Sequence, residues 1–362
     1  MGSTLNFGPG PAVLPSSVLE QVQQDVMDYR GRGLSILEIN HRDDDLVEIL
    51  EAAKALYREL LAIPDNYAVM FIHGGAAMQF TSVPVNLLGL HPKRKMLVAN
   101  SGYFSTLAFN EASRYGDAQY IASSESTGFD RVPEIDPAKV DADASYLHIC
   151  TNNTMMGTRW QTFPAPLPIP LVGDATSEIL SRPMDISQFG LLFAGFQKNL
   201  GTAGTSVIII REDLLGHPLP EAPRQLNYNV LLETNSMPTT PGWFNIYVNR
   251  LVLEWTRDQG GPQAMAELNE RKAARVYGVI DRSDFYTGHA HPAHRSRQNY
   301  TFGLPSKELL EKFFSEASEA GLYGLKSPPM REDVRASMYN AMPYEGAETL
   351  AAFMEDFERR HG

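Results

Sequence analysis

The chain has 362 residues, 43% of them hydrophobic, a formal net charge of −12 at pH 7 and a single cysteine, Cys150. The acidic balance argues against nucleic acid or an anionic membrane as a partner, and one cysteine excludes both an intrachain disulfide and a cysteine-cluster metal site, so no metal is expected. No uncharged apolar run reaches 18 residues, the opening MGSTLNFGPGPAVLP lacks the basic and apolar regions of a secretory signal, and the expectation is a soluble protein of the cytoplasm.

In chain order, residues 1–15 form an N-terminal segment. From about residue 67 the sequence alternates short apolar runs with helix-like stretches. Seven runs read as strands: YAVMFIH (67–73), KMLVANS (95–101), AQYIAS (118–123), SYLHIC (145–150), IPLVGDA (169–175), LLFAGF (191–196) and TSVIIIR (205–211). Continuous apolar runs without strict alternation predict strands covered on both faces, as in a mostly parallel sheet. PAPLPIP (164–170) reads as a surface connection, and WFNIYVNRLVLEWTRDQGG (243–261) as a long amphipathic helix ended by glycines. After residue 262 the pattern changes: helices at 307–320 and 346–360 flank strands in NYTFGL and VRASMYNAM. The expected fold is therefore α/β, with a large domain over 16–261 and a smaller α+β domain over 262–362.

Three features carry chemistry. After the first strand comes His73-Gly74-Gly75, a glycine pair at a strand-to-helix turn, where backbone amides and the helix dipole can receive an anion; a plain tight turn is the alternative. LVGDATS (171–177) ends a strand at Asp174, which can equally be a helix N-cap. Lys198 closes the next apolar strand, an unfavourable place for a strongly hydrated cation. In a doubly wound sheet, ligands sit at the carboxyl ends of the strands, so an acid and a base would meet in one cleft. Pyridoxal phosphate needs that combination: a lysine to bond, a carboxylate against its pyridinium nitrogen and an anion site for its phosphate. The glycines of GPGPA (8–12) follow no predicted strand and alternate with prolines, so a dinucleotide loop is rejected.

FAGFQKNLGTAG (193–204) resembles the lysine segment of the phosphoserine aminotransferases, fold-type-I enzymes that use pyridoxal phosphate. The resemblance runs nearly end to end, through NFGPGPAVLP, LEINHR, FIHGGAAMQF, VPVNLLG, DATSEILSRPMDIS, REDLLG, YGVIDRSDFY, RASMYNAMP and FERRHG. It implies a seven-stranded, mostly parallel sheet, Lys198 as the Schiff-base lysine and Asp174 as the pyridinium partner. It further implies that Gln197 bonds the cofactor phosphate or its ring oxygen, and that the backbone of Ala76 and Ala77 cradles the phosphate. Thr154 should touch the cofactor, and Phe104 should occupy the place of a stacking tryptophan. Thr239 and Thr240 match residues that reach the neighbouring subunit's cofactor, which implies a homodimer. Arg335 should clamp the substrate α-carboxylate, with His41 and Arg42 over its distal anionic group. The implied activity is transfer of an amino group between L-glutamate and a small 2-oxo acid.

The chain also departs from the family. Ala77 stands where the family has an arginine, and Pro328 and Pro329 where it has a His-Arg pair, so up to three cations for a substrate phosphate are missing. Each such charge-assisted bond contributes roughly 1.5–3 kcal/mol. Three expectations follow: a working enzyme for 3-phosphohydroxypyruvate, an aminotransferase for a related non-phosphorylated acceptor, or β-elimination or replacement on the same cofactor. Arg331 is a candidate replacement for the missing cations.

Overall fold

The computed structural model describes residues 4–164, 166–327 and 331–362. Pro328 and Pro329, and Ala165 within the predicted 164–170 connection, lie outside the described residues. Strand β1 (Leu5–Asn6) leads to α1 (Ser16–Met27) and α2 (Asp44–Leu61). Asp43 starts α2 by accepting from Asp45 N, and Asp44 and Asp45 add negative charge to the first turn. Next come β2 (Tyr67–His73), α3 (Ala76–Leu87), β3 (Lys95–Asn100), α4 (Tyr103–Ala112), β4 (Asp117–Ser123) and β5 (Tyr146–Cys150). A small hairpin of β6 (Asn152–Asn153) and β7 (Thr158–Arg159) precedes β8 (Leu171–Asp174), β9 (Leu191–Gly195) and β10 (Thr205–Arg211).

The large sheet has the order β2-β10-β9-β8-β5-β3-β4, with β10 antiparallel to both neighbours and the other pairings parallel. Alternate residues feed two cores. Val207 and Ile209 face a cluster with Leu50, Tyr57 and Leu253, supplied by α2 and α6 (Trp243–Asp258). Ile208 and Ile210 face Phe80, Val83 and Leu231, supplied by α3 and the short α5 (Tyr228–Glu233). This two-sided cover is what the unalternating apolar runs demand. The exception is β4, which lies at the sheet edge: Tyr120 is 41% exposed and shields itself by stacking on Phe109 at 4.2 Å.

The expected helix ends at its glycines, α6 closing at Asp258, but two features of the C-terminal part were not expected. Gly260 and Gly261, at φ 97° and 70°, turn the chain into α7 (Gly261–Arg282), a 22-residue helix with Pro262 in its first turn. Its apolar stripe, from Met265 to Ile280, is interleaved with charged residues, so it reads weakly as a helix. There follow β11 (Thr287–Gly288), β12 (Asn299–Gly303), α8 (Lys307–Glu319), β13 (Leu322–Tyr323), β14 (Val334–Ser337) and α9 (Tyr344–His361). In VRASMYNAM only Val334–Ser337 is a strand; residues 339–342 form a turn, because their backbone groups are claimed by α7 and by the loop after β9. Strands β11, β12 and β14 make an antiparallel sheet, and β1 pairs in parallel with β13. Phe7, fully buried, thereby joins the C-terminal core of Val276, Tyr300, Phe302, Phe313 and Phe357.

Phe313 holds that core through its rings' edges against Phe302 (6.0 Å), Phe353 (5.1 Å) and Phe357 (5.1 Å). Phe313→Ala is expected to lower the unfolding free energy by about 3–5 kcal/mol, read from the urea midpoint.

Candidate active site

The parallel register sets Cys150 beside Asp174 and Asp174 beside Phe193, so β5, β8 and β9 end at one level. Beyond that edge lies a cavity of about 230 Å³. Asp174 and Lys198 both line it, as do Ala76, Ala77, Phe104, Thr154, Gln197 and Arg335. Lys198 is only 8% exposed; its Nζ donates to Thr154 Oγ1 at 2.5 Å and stands 5.6 Å from the centroid of the Phe104 ring. Burial pushes its pKa down to about 8; the Asp174 charge opposes the fall and the Arg335 charge adds to it. Asp174 is shifted the other way. Burial raises its carboxyl, while hydrogen bonds from Thr176, including one from its backbone N at 3.0 Å, and the Lys198 charge restrain the rise.

The other end of the cavity is built of backbone. Gly74, at φ 90°, turns the chain from β2 into α3, whose N-terminus has no side-chain cap. Gly195 at the end of β9 leaves that N-terminus open: a Cβ there would stand 2.9 Å from Ala76 N and 2.5 Å from Gln197 Oε1. The GPGPA stretch is a strap across the lysine. Ala12 N donates to Gln197 O at 2.9 Å, and at Gly10 (φ 133°) a Cβ would come within 3.3 Å of Lys198 Cγ. Two polar groups facing this space are buried without partners, Gln197 Oε1 and Arg335 Nε. Among the described residues the side chain of Arg335, 5% exposed on β14, has only the Met155 sulfur at 3.3 Å from Nη1 and no bonded carboxylate.

Four predicted residues lie elsewhere in the chain. Thr239 and Thr240 are exposed; Thr239 lines a separate cavity of about 240 Å³, and His73 Nε2 donates to Thr240 O at 2.8 Å. His41 is half-buried and Arg42 exposed, both in the loop before α2 and outside the lysine cavity. Arg331, the candidate extra cation, is engaged by Asp333, to which its Nε donates at 2.8 Å. Sequence reasoning missed Pro9, Gly10, Asn152, Met155, Thr176 and Ser177, which with Cys150 complete the lining. The alternating glycines and prolines of the strap were the available signal, since such a run is stiff and approaches other backbone closely.

The aminotransferase class-V model matches residues 4–350. The phosphoserine aminotransferase of Bacillus cereus is 42% identical over 99% of each chain. The chain belongs to the class-V aminotransferases, in the phosphoserine aminotransferase family. The Chromobacterium violaceum phosphoserine aminotransferase is 43% identical over the whole of both chains. The structure of the phosphoserine aminotransferase from Bacillus circulans subsp. alkalophilus superposes with a TM-score of 0.95 at 39% identity, covering 99% of each chain. That of the pyridoxal-phosphate-bound enzyme from Trichomonas vaginalis gives 0.93 at 34%, covering 97% and 99%.

This aminotransferase uses pyridoxal phosphate, and its cavity fits that group: a buried amine, a buried carboxylate, an uncapped helix N-terminus and an orphaned amide oxygen converge on one space. Elimination or replacement chemistry is not favoured by these relatives. Among the described residues no cluster of His, Cys, Asp or Glu could hold a metal ion, and no helix is long and apolar enough to cross a membrane.

Since the Lys198 amine titrates near 8 when folded and at 10.5 when unfolded, the folded cofactor-free protein binds fewer protons between these values. The contribution of this group to stability therefore rises with pH across that window. Pulse acetylation read by mass spectrometry is expected to give a Lys198 midpoint near 8. Asp174→Asn removes the charge that supports the ammonium, so it should move the midpoint lower.

Proposed function

We propose that this aminotransferase moves an amino group between L-glutamate and 3-phosphohydroxypyruvate. The observation that carries the reading is the convergence of Lys198, Asp174 and an unpaired, buried Arg335 guanidinium on one cavity, in a chain 42% identical to curated phosphoserine aminotransferases. Lys198 is the residue that bonds the cofactor. Asp174 holds a proton on the ring nitrogen, Gln197 and the amides of Ala76 and Ala77 receive the phosphate, and Phe104 and Thr154 flank the ring. Bound there, pyridoxal phosphate supplies the electron sink for chemistry at the substrate α-carbon. Arg335 takes the α-carboxylate in a bidentate pair and so orients the α-hydrogen. Lys198, its pKa lowered by burial to about 8 so that a far larger share of the amine is unprotonated near neutrality than for a free lysine, accepts that proton once released and returns it on the far side of the transfer.

The same reading makes the enzyme a cytoplasmic homodimer with composite sites. Thr239, Thr240, His41 and Arg42 lie outside the lysine cavity and are at least partly exposed, which supports their serving the partner's site. Residues 16–261 would hold the cofactor, and 262–362 would bring Arg335. A second reading, a non-phosphorylated acceptor, is favoured by Ala77 in the cavity lining and by the engagement of Arg331 with Asp333.

The purified protein is expected to show a visible absorbance band that borohydride abolishes and Lys198→Ala lacks; an unchanged band in that variant removes Lys198 from its role. L-Glutamate should discharge the band, and a panel of 2-oxo acids then identifies the acceptor by the rate at which each restores it. Under the first reading 3-phosphohydroxypyruvate is fastest. Under the second it trails a singly charged 2-oxo acid by about a hundredfold, the equivalent of ~3 kcal/mol, and Ala77→Arg narrows the gap.

For the shared sites, mixing Lys198→Ala subunits with Thr239→Ala/Thr240→Ala subunits should recover part of the activity that each lacks alone. A fully active monomer would contradict the dimer.

A further inference from the structure

Lys272, on α7, is fully buried. Its Nζ donates to Tyr339 O at 2.8 Å and Met342 O at 3.0 Å. Among the described residues no carboxylate answers it: burial pushes its pKa down to about 7, and no charged group adds to or offsets that shift. Desolvating an ammonium without a counter-charge costs stability, and an apolar side chain of similar length would fill the same volume at no such cost. Packing therefore does not account for a lysine here.

What the ammonium grips is the 339–342 turn, and that turn is bonded to two neighbours of Lys198, the residue after it and the strap over it. Asn340 N donates to Asn199 Oδ1 at 3.0 Å, and Asn199 is the residue next to Lys198. Tyr339 Oη donates to Pro9 O at 2.9 Å, in the strap that lines the Lys198 cavity. One turn earlier on α7, Asn269 Nδ2 donates to Asn340 Oδ1 at 3.0 Å, so two side chains of one helix face hold the same turn. The turn also directly follows β14, which carries Arg335.

We propose that Lys272 is a positioning residue: by clamping the 339–342 turn it fixes, through Asn340–Asn199 and Tyr339–Pro9, where the Lys198 amine stands and how far it is removed from water. The inference rests on Lys198 being the cofactor-bonding residue. Its test does not, because it is read on the cofactor-free protein.

In full-length, cofactor-free Lys272→Met, pulse acetylation should give a Lys198 midpoint raised by about half a pH unit or more above the parent's value near 8. Loosening the site admits water and relieves the desolvation that depresses the amine. The groups facing Lys198, namely Asp174, Arg335 and Cys150, are unchanged in this variant. In the loaded enzyme kcat should fall about tenfold with KM for glutamate within about twofold, the split expected when a reacting group is misplaced rather than substrate binding lost. A folded Lys272→Met with the parent's Lys198 midpoint overturns the proposal. If Lys272→Met does not fold, Asn269→Ala decides by the same reading, a raised midpoint supporting the clamp and an unchanged one overturning it. A shifted midpoint together with a visible band that survives Lys198→Ala would uphold the clamp while removing the role of Lys198 in binding the cofactor.

Discussion

The structure depends on holding an amine and a carboxylate out of water at the ends of neighbouring strands. Burial disfavours the charged form of each, so Lys198 is pushed down and Asp174 up, while each charge restrains the other's shift. Such a pair is a poor contributor to stability. It persists because the sheet around it is over-determined: β5, β8 and β9 are buried on both faces, their parallel register fixes Asp174, and Lys198 follows in the turn just beyond β9.

The remaining site elements surround that pair with backbone more than with side chains. The uncapped N-terminus of α3, the absence of a Cβ at Gly195 and the Gly-Pro strap across Gln197 and Lys198 together make an anion-tolerant space. The 152–159 hairpin adds Thr154, which takes the Lys198 hydrogen bond, and Met155, which packs on Arg335. The C-terminal part then contributes from a separate core. Its strand β14 carries Arg335 in, and the turn after it is tied back to α7 and to Asn199. The N-terminal strand, paired with β13, binds the strap to the same part.

Legibility followed burial. The seven strands of the large sheet were readable because two-sided cover leaves uninterrupted apolar runs such as VIII in β10. Edge strand β4 broke that logic: the run AQYIAS is apolar but half-exposed, since little covers it. Helix α7 was missed because its buried face includes Asn269 and Lys272, polar residues whose partners are backbone and amide groups from residues 181 and 339–342. A polar side chain satisfied by distant groups is indistinguishable, in sequence, from a solvated one.

By itself the sequence determined the α/β class, the strand ends that carry Asp174 and Lys198, and, through end-to-end resemblance, the family. These are properties of local pattern and of short segments, and they survive without knowledge of distant contacts. Resemblance named Arg335 for the site, but tertiary structure alone decided how it arrives from 137 positions beyond Lys198 by the numbering, with an unpartnered Nε in the same cavity. It alone revealed the strap at Pro9 and Gly10, the engagement of Arg331 by Asp333 and the position of Arg42 outside the cavity. Each of these is set by which surfaces pack together, and packing between remote segments leaves no periodic mark on either one.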